Sequence, residues 1–124
     1  MASSLDPRAR RRQLEQAQAL FNDGEYWLAH EALETVWRSI IDGGEIDEGE
    51  RRVWQGLIQA AAALLHRRRG NRHGTVVVGA AALEKLSGPQ HPAVEFDTLR
   101  FRAALARALA GEGDPPRLDF RSDA

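Results

Sequence analysis

The chain has 124 residues, 43% of them hydrophobic, which suits one domain with enough apolar material for a sizeable core. Seventeen Lys and Arg against 18 Asp and Glu leave a formal net charge of -1, so no global field favours nucleic acid, and that class of partner is set aside. The absence of cysteine removes disulfides, thiolate metal ligands and cysteine nucleophiles together.

No apolar run approaches the roughly 18–20 residues that span a bilayer. The opening Met-Ala-Ser-Ser-Leu-Asp-Pro-Arg lacks the apolar centre of a secretion signal, so the expectation is a cytoplasmic protein with no membrane partner. Lys85 is the single lysine, an arginine bias that a GC-rich genome explains as well as any phosphate-binding role.

Asp6-Pro7 reads as an N-cap followed by Pro at the first helical position. A first helix is expected over about Pro7 to Asn22, with Leu14, Ala17 and Phe21 at helical spacing. Arg8, Arg10, Arg11 and Arg12 oppose the helix dipole at its start, so fraying is expected there. They form either a basic arm for an acidic partner or a solvated face. Asn22-Asp23-Gly24 is a turn, and a second helix follows over about Glu25 to Ile41, burying Tyr26, Leu33, Trp37 and Ile40.

Asp47-Glu48-Gly49-Glu50 has the form of a capping box for a third helix, about Glu48 to Arg69. Val53, Leu57, Ala60, Ala61 and Leu64 cover one side of it and Trp54, Ile58 and Leu65 the next, so this is the central helix. A fourth segment, about Thr75 to Leu86, opens with three valines of strand propensity. It reads as helix because no second strand exists to pair with it. Ser87 to Pro92 is a break, and a last helix over about Val94 to Leu109 buries Phe101, Leu105 and Ala108. The expected fold is all-α, a compact single-domain bundle of about five helices. Its parts are a basic N-terminal extension with the start of the first helix over 1–13, a helical body over 14–110 and a mobile tail over 111–124.

The chemistry gathers on the second and third helices. His30 and Glu34 are four apart on one face with Trp37 and Ile41, the spacing of two metal ligands or an acid–base pair. The second histidine of a His-Glu-x-x-His zinc motif is missing. The plainer reading has Glu34 orienting His30 or pairing with Arg38. Glu31 lies about 100° round the helix, where an ion pair with Arg38 is the ordinary explanation. Gln55, Gln59 and His66 fall within about 40° of one another on the third helix, lining either a pocket or a solvent face shared with Arg51, Arg52 and Arg69. Asn71, His73 and Gly74 serve an anion or simply a turn, and His91 is expected to be exposed. No phosphate loop, Gly-x-Ser-x-Gly elbow or dinucleotide fingerprint occurs.

Phe21-Asn22-x-Gly24-x-Tyr26 leading to His30-Glu31-x-Leu33-Glu34-x-x-Trp37 resembles the signature of the DUF309 family of small bacterial and archaeal proteins. Gln55-Gly56-Leu57-Ile58-Gln59-x-Ala61, then His66 and Gly70-Asn71-x-x-Gly74, resembles its second half, and the likeness covers roughly residues 14–86. The resemblance implies a compact helical fold and no assigned activity, with His30, Glu31, Glu34, Gln55, Gln59 and His66 as the positions of a family site. Trp27 stands where the family pattern implies Phe.

Two functional readings follow. In the first, the chain is a binding or structural module, in one form a homodimer, whose His/Glu/Gln cluster is an internal hydrogen-bonded network. In the second it is a metal-dependent hydrolase or metal-binding protein. His30 and Glu34, with Glu31 or His66, would then hold a divalent Zn, Mn or Fe.

Overall fold

The computed structural model describes residues 6–44 and 46–122. Residues 1–5 of the expected N-terminal extension and the last two of the tail lie outside the described residues. Among those described, five α-helices follow one another: α1 (Pro7–Asn22), α2 (Tyr26–Asp42), α3 (Glu48–Arg68), α4 (Arg72–Lys85) and α5 (Thr98–Leu109). The all-α reading holds, and no helix among the described residues is long and apolar enough to cross a membrane.

Four of the five helices begin where the sequence offers a side-chain cap, and α2 starts after Glu25 without one. Asp6 accepts from the Ala9 N–H, Asp47 from Glu50, Asn71 from Gly74 and Asp97 from Arg100, each bond relieving one of the orphan donors of a helix start. Only half of the expected capping box at Asp47 forms. The Glu50 carboxylate does not reach back; it accepts from the indole N–H of Trp54, which is fully buried and needs a partner there. α4 begins at Arg72, earlier than expected, because Asn71 caps it. α5 begins later, at Thr98, because Asp97 caps it and the preceding residues are extended.

The core is built from the stripes the periodicity marks. Leu14, Ala17 and Phe21 of α1, Tyr26 and Leu33 of α2, Phe101 and Leu105 of α5 all join one cluster around α3. α3 contributes Val53, Trp54, Leu57, Ala60, Ala61 and Leu64 to it, and is the central helix. Its small residues set the spacing: a Cβ at Gly56 would lie 2.8 Å from Leu86 Cγ and 3.2 Å from Lys85 Cβ, so this glycine lets the end of α4 close onto α3. At the α1–α2 turn Gly24 adopts φ 81°, and its carbonyl accepts from the Arg68 guanidinium, which also lies over the Tyr26 ring.

The ends of the chain differ from expectation. The tail expected to be mobile packs onto the bundle. Leu118 is fully buried, Phe120 stacks on Phe96 at 4.8 Å, and the pair forms an isolated antiparallel bridge. Asn22 seals it from both sides, donating to the Leu118 carbonyl and accepting from its N–H. Two of the four arginines of the first turn are likewise engaged: Arg10 holds Glu95 through two bonds of 2.7 and 3.0 Å, and Arg11 lies over the Phe120 ring. These contacts tie down the turn that was expected to fray.

Candidate functional site: the groove between α2 and α3

α2 and α3 bury their apolar stripes against each other and leave polar edges facing a groove. It has a volume of about 340 Å³ and is lined by Glu34, Trp37, Arg38, Gln55, Ile58, Gln59 and Lys85. Trp37 and Ile58 pack against the core and form its apolar part. The neighbouring arginines are held aside: Arg51 lies over the Trp37 ring, and Arg52 pairs with Glu84 at 2.8 Å. The Arg52 guanidinium bonded to it holds the Glu84 carboxyl below its ordinary range.

The His30–Glu34 pair forms as its spacing predicts. His30 Nε2 lies 3.2 Å from Glu34 Oε1, and Arg38 holds the other carboxylate oxygen at 3.2 Å. The Trp27 indole stacks on the imidazole, its centroid 5.6 Å away and nearly parallel. With Nε2 donating to the carboxylate, the remaining ring nitrogen, Nδ1, is buried and has no hydrogen-bond partner among the described residues. Gln59 repeats this condition. Its Oε1 is buried and unpaired, and its amide makes no hydrogen bond within the described residues. Exchanging the amide ends would merely replace an unpaired acceptor with an unpaired donor.

The other candidates go elsewhere. Glu31 is exposed and lines a different groove, between α1 and α2, with Gln13, Gln16, Leu28 and Thr35. His66 belongs to the α3–α4 turn: the Asn71 side-chain amide lies 3.1 Å from its Nδ1, and Gly74 lies against the ring. Turn chemistry therefore accounts for Asn71, Gly74 and His66 together. His91, expected to be exposed, instead bonds Asp47 through Nε2 at 2.9 Å and accepts from the Ala93 N–H through Nδ1.

A metal centre is not assembled from these residues. Zinc sites draw three or four ligands from the protein. Among the described residues no group of three or more His, Cys, Asp or Glu side chains is placed to hold an ion. Glu31 and His66, the further ligands that reading required, face the other groove and the turn. Lys85 is the groove residue that sequence reasoning missed. It arrives from the end of α4 through the close approach at Gly56, and its one signal was being the single lysine.

The model of a family described as a domain of unknown function, DUF309, matches residues 14–78. That span is just over half of the chain and holds every one of the six candidate residues. The chain belongs to the DUF309 family. An uncharacterized protein of Aquifex aeolicus (strain VF5) is 34% identical over 110 residues, which cover 86% of this chain and 31% of that relative. The chain thus spans about a third of the relative's length. No solved structure matches it. The DUF309 span runs through α1, α2 and α3 into α4, so it contains both sides of the groove except Lys85, and stops before the 87–97 connection, α5 and the tail.

Proposed function

We propose that this DUF309 chain is a binding module whose site is the α2–α3 groove, and that its ligand is a small polar molecule presenting an N–H or O–H donor. The unpaired Gln59 Oε1, buried beside Glu34, Gln55 and Trp37, carries this reading. A buried polar atom without a partner costs about 1–3 kcal/mol. A fold that needed only an internal network would bond the groups it buries, as it does at Gln90. Glu34 and Gln55 add further acceptors on the groove wall, while Arg38 and Lys85 supply cations at its rim. Catalysis by His30 is less well supported. His30 does not line the groove, and its Nε2 is taken up by Glu34.

The test is Gln59→Met, which keeps the shape of the side chain and removes its amide. If the amide serves a ligand, the isolated variant is as stable as the parent or more stable by about 1 kcal/mol, because an unpaired buried group has gone. Native mass spectrometry of gently purified protein then shows a bound small molecule that both Gln59→Met and Glu34→Gln lose. A variant destabilised by about 1–3 kcal/mol would instead make the amide part of a structural network and end the binding reading.

A further inference from the structure

The outward face of α4 is left unexplained by the fold. Inward, the helix is made of small residues: Gly79 and Ala82 are buried, and a Cβ at Gly79 would lie 2.9 Å from Leu109. Outward, Val76 is 69% and Val77 53% exposed, with Ala80 exposed beside them. Valine at a solvent-facing helical position is doubly unfavourable. Its branched Cβ is stiff in a helix and lowers helix propensity relative to Ala, Glu or Lys, and its apolar surface stays in water. Burial in an assembly offsets both costs.

The order of residues on this face specifies the partner. Arg72, Val76, Ala80 and Glu84 are exposed and spaced four apart, so they form a single ridge along the helix. Rotated about a two-fold axis through its midpoint, the ridge is its own complement. Arg72 of one copy then meets Glu84 of the other, and Val76 meets Ala80, each contact occurring twice. Arg72 forms no ion pair with the described residues. Glu84 uses Oε1 for Arg52 and is 67% exposed, leaving Oε2 open to a second cation.

We propose that two copies of this chain associate through α4 as an antiparallel helix pair, held by the Val76–Ala80 contacts and closed at each end by Arg72 and Glu84. The pairing is independent of the α2–α3 groove, which lies on other helices apart from Lys85. A single pair of helices of 14 residues lies at the small end of specific interfaces, below about 1,200 Å² in total, where weak and concentration-dependent association is the rule.

Sedimentation equilibrium of the full chain, from low micromolar to near-millimolar protein, tests this. The parent should pass from monomer to dimer, and Val76→Glu should remain monomeric while keeping its helical circular dichroism. Arg72→Glu and Glu84→Arg should each weaken association by about tenfold, by placing like charges opposite one another. The double variant should restore it. Within one chain residues 72 and 84 are about 18 Å apart along the helix, so only pairing between copies gives that restoration. Arg52→Gln, which removes the other partner of Glu84, should leave the dimer intact. A parent that stays monomeric throughout overturns the proposal and leaves the valine face to a different protein or to another part of a longer chain. A dimer that the double charge exchange fails to restore overturns it too, because a different surface is then in use.

Discussion

Two half-buried glutamines in this molecule have opposite circumstances. Gln90 is bonded at both ends. Its Nε2 lies within hydrogen-bond reach of the His91, Val94 and Phe96 carbonyls, and its Oε1 accepts from the N–H and the hydroxyl of Thr98. Gln59 has similar shielding and no bond among the described residues. Burial alone would rank them together; their partners separate them. Gln90 stands in for the secondary structure that the 87–97 connection lacks, satisfying backbone groups that would otherwise be orphaned in a buried loop. Gln59 satisfies nothing among the described residues, and its side chain lines the groove. The same contrast divides the two regions around them. The connection and the C-terminal segment form a closed polar frame over Val94, Phe96 and Leu118, whereas the α2–α3 groove stays open.

The largest test of that contrast falls on the closed region. Leu118→Ala removes a fully buried side chain from the seam and should cost about 3 kcal/mol in urea or thermal unfolding. A loose appendage would give a change within about 0.5 kcal/mol, and that result would dissolve the frame. Gln90→Leu follows at about 2 kcal/mol, since it strands the Thr98 N–H and the Phe96 carbonyl. Gln59→Met under the same conditions should show no such loss. Equal losses would mean that both glutamines are structural and that the groove is no site.

The sequence showed the helices and hid the seam for a physical reason. Helical stripes repeat over many residues, so Leu14, Ala17 and Phe21, or Phe101, Leu105 and Ala108, announce a buried face long before a partner is known. Leu118 and Phe120 alternate over too short a stretch to signal, amid prolines and charges. Their partner Phe96 lies in another irregular segment, so neither reads as core until the two meet. Extending α5 back to Val94 had the same cause: Val94 and Phe96 alternate as extended chain, and Asp97 is the true cap. The candidate site was legible in part. The helical wheel rightly placed Glu34 with His30 and Gln55 with Gln59, but it ignores height along the axis. His66 is about 10 Å beyond Gln59 on α3, where it joins the turn rather than the groove. Lys85 depends on a close approach of helices distant in sequence, which no local pattern encodes.

The smallest expected effect sits at the edge of the closed frame, where His91 reaches the cap of α3. The Glu50 backbone N–H first, and the His91 hydrogen bond second, hold the Asp47 carboxyl below its ordinary range. A carboxyl lowered by folding stabilises the native state fully above its unfolded pKa of about 3.9, and that contribution is lost as pH falls through the folded value. Melting curves should therefore show no Asp47-dependent change from neutral pH down to about 4, and a loss below it. Asp47→Asn keeps a side-chain oxygen for the Glu50 N–H, so its cost at neutral pH is small, and it removes the titrating group. Its acid limb should be flatter than that of the parent, the two curves converging at low pH. Parallel curves down to acid would show that neither the Glu50 N–H nor His91 lowers the Asp47 carboxyl in solution. The connection would then be held by Gln90 and the Phe96–Phe120 stack without a clamp at α3.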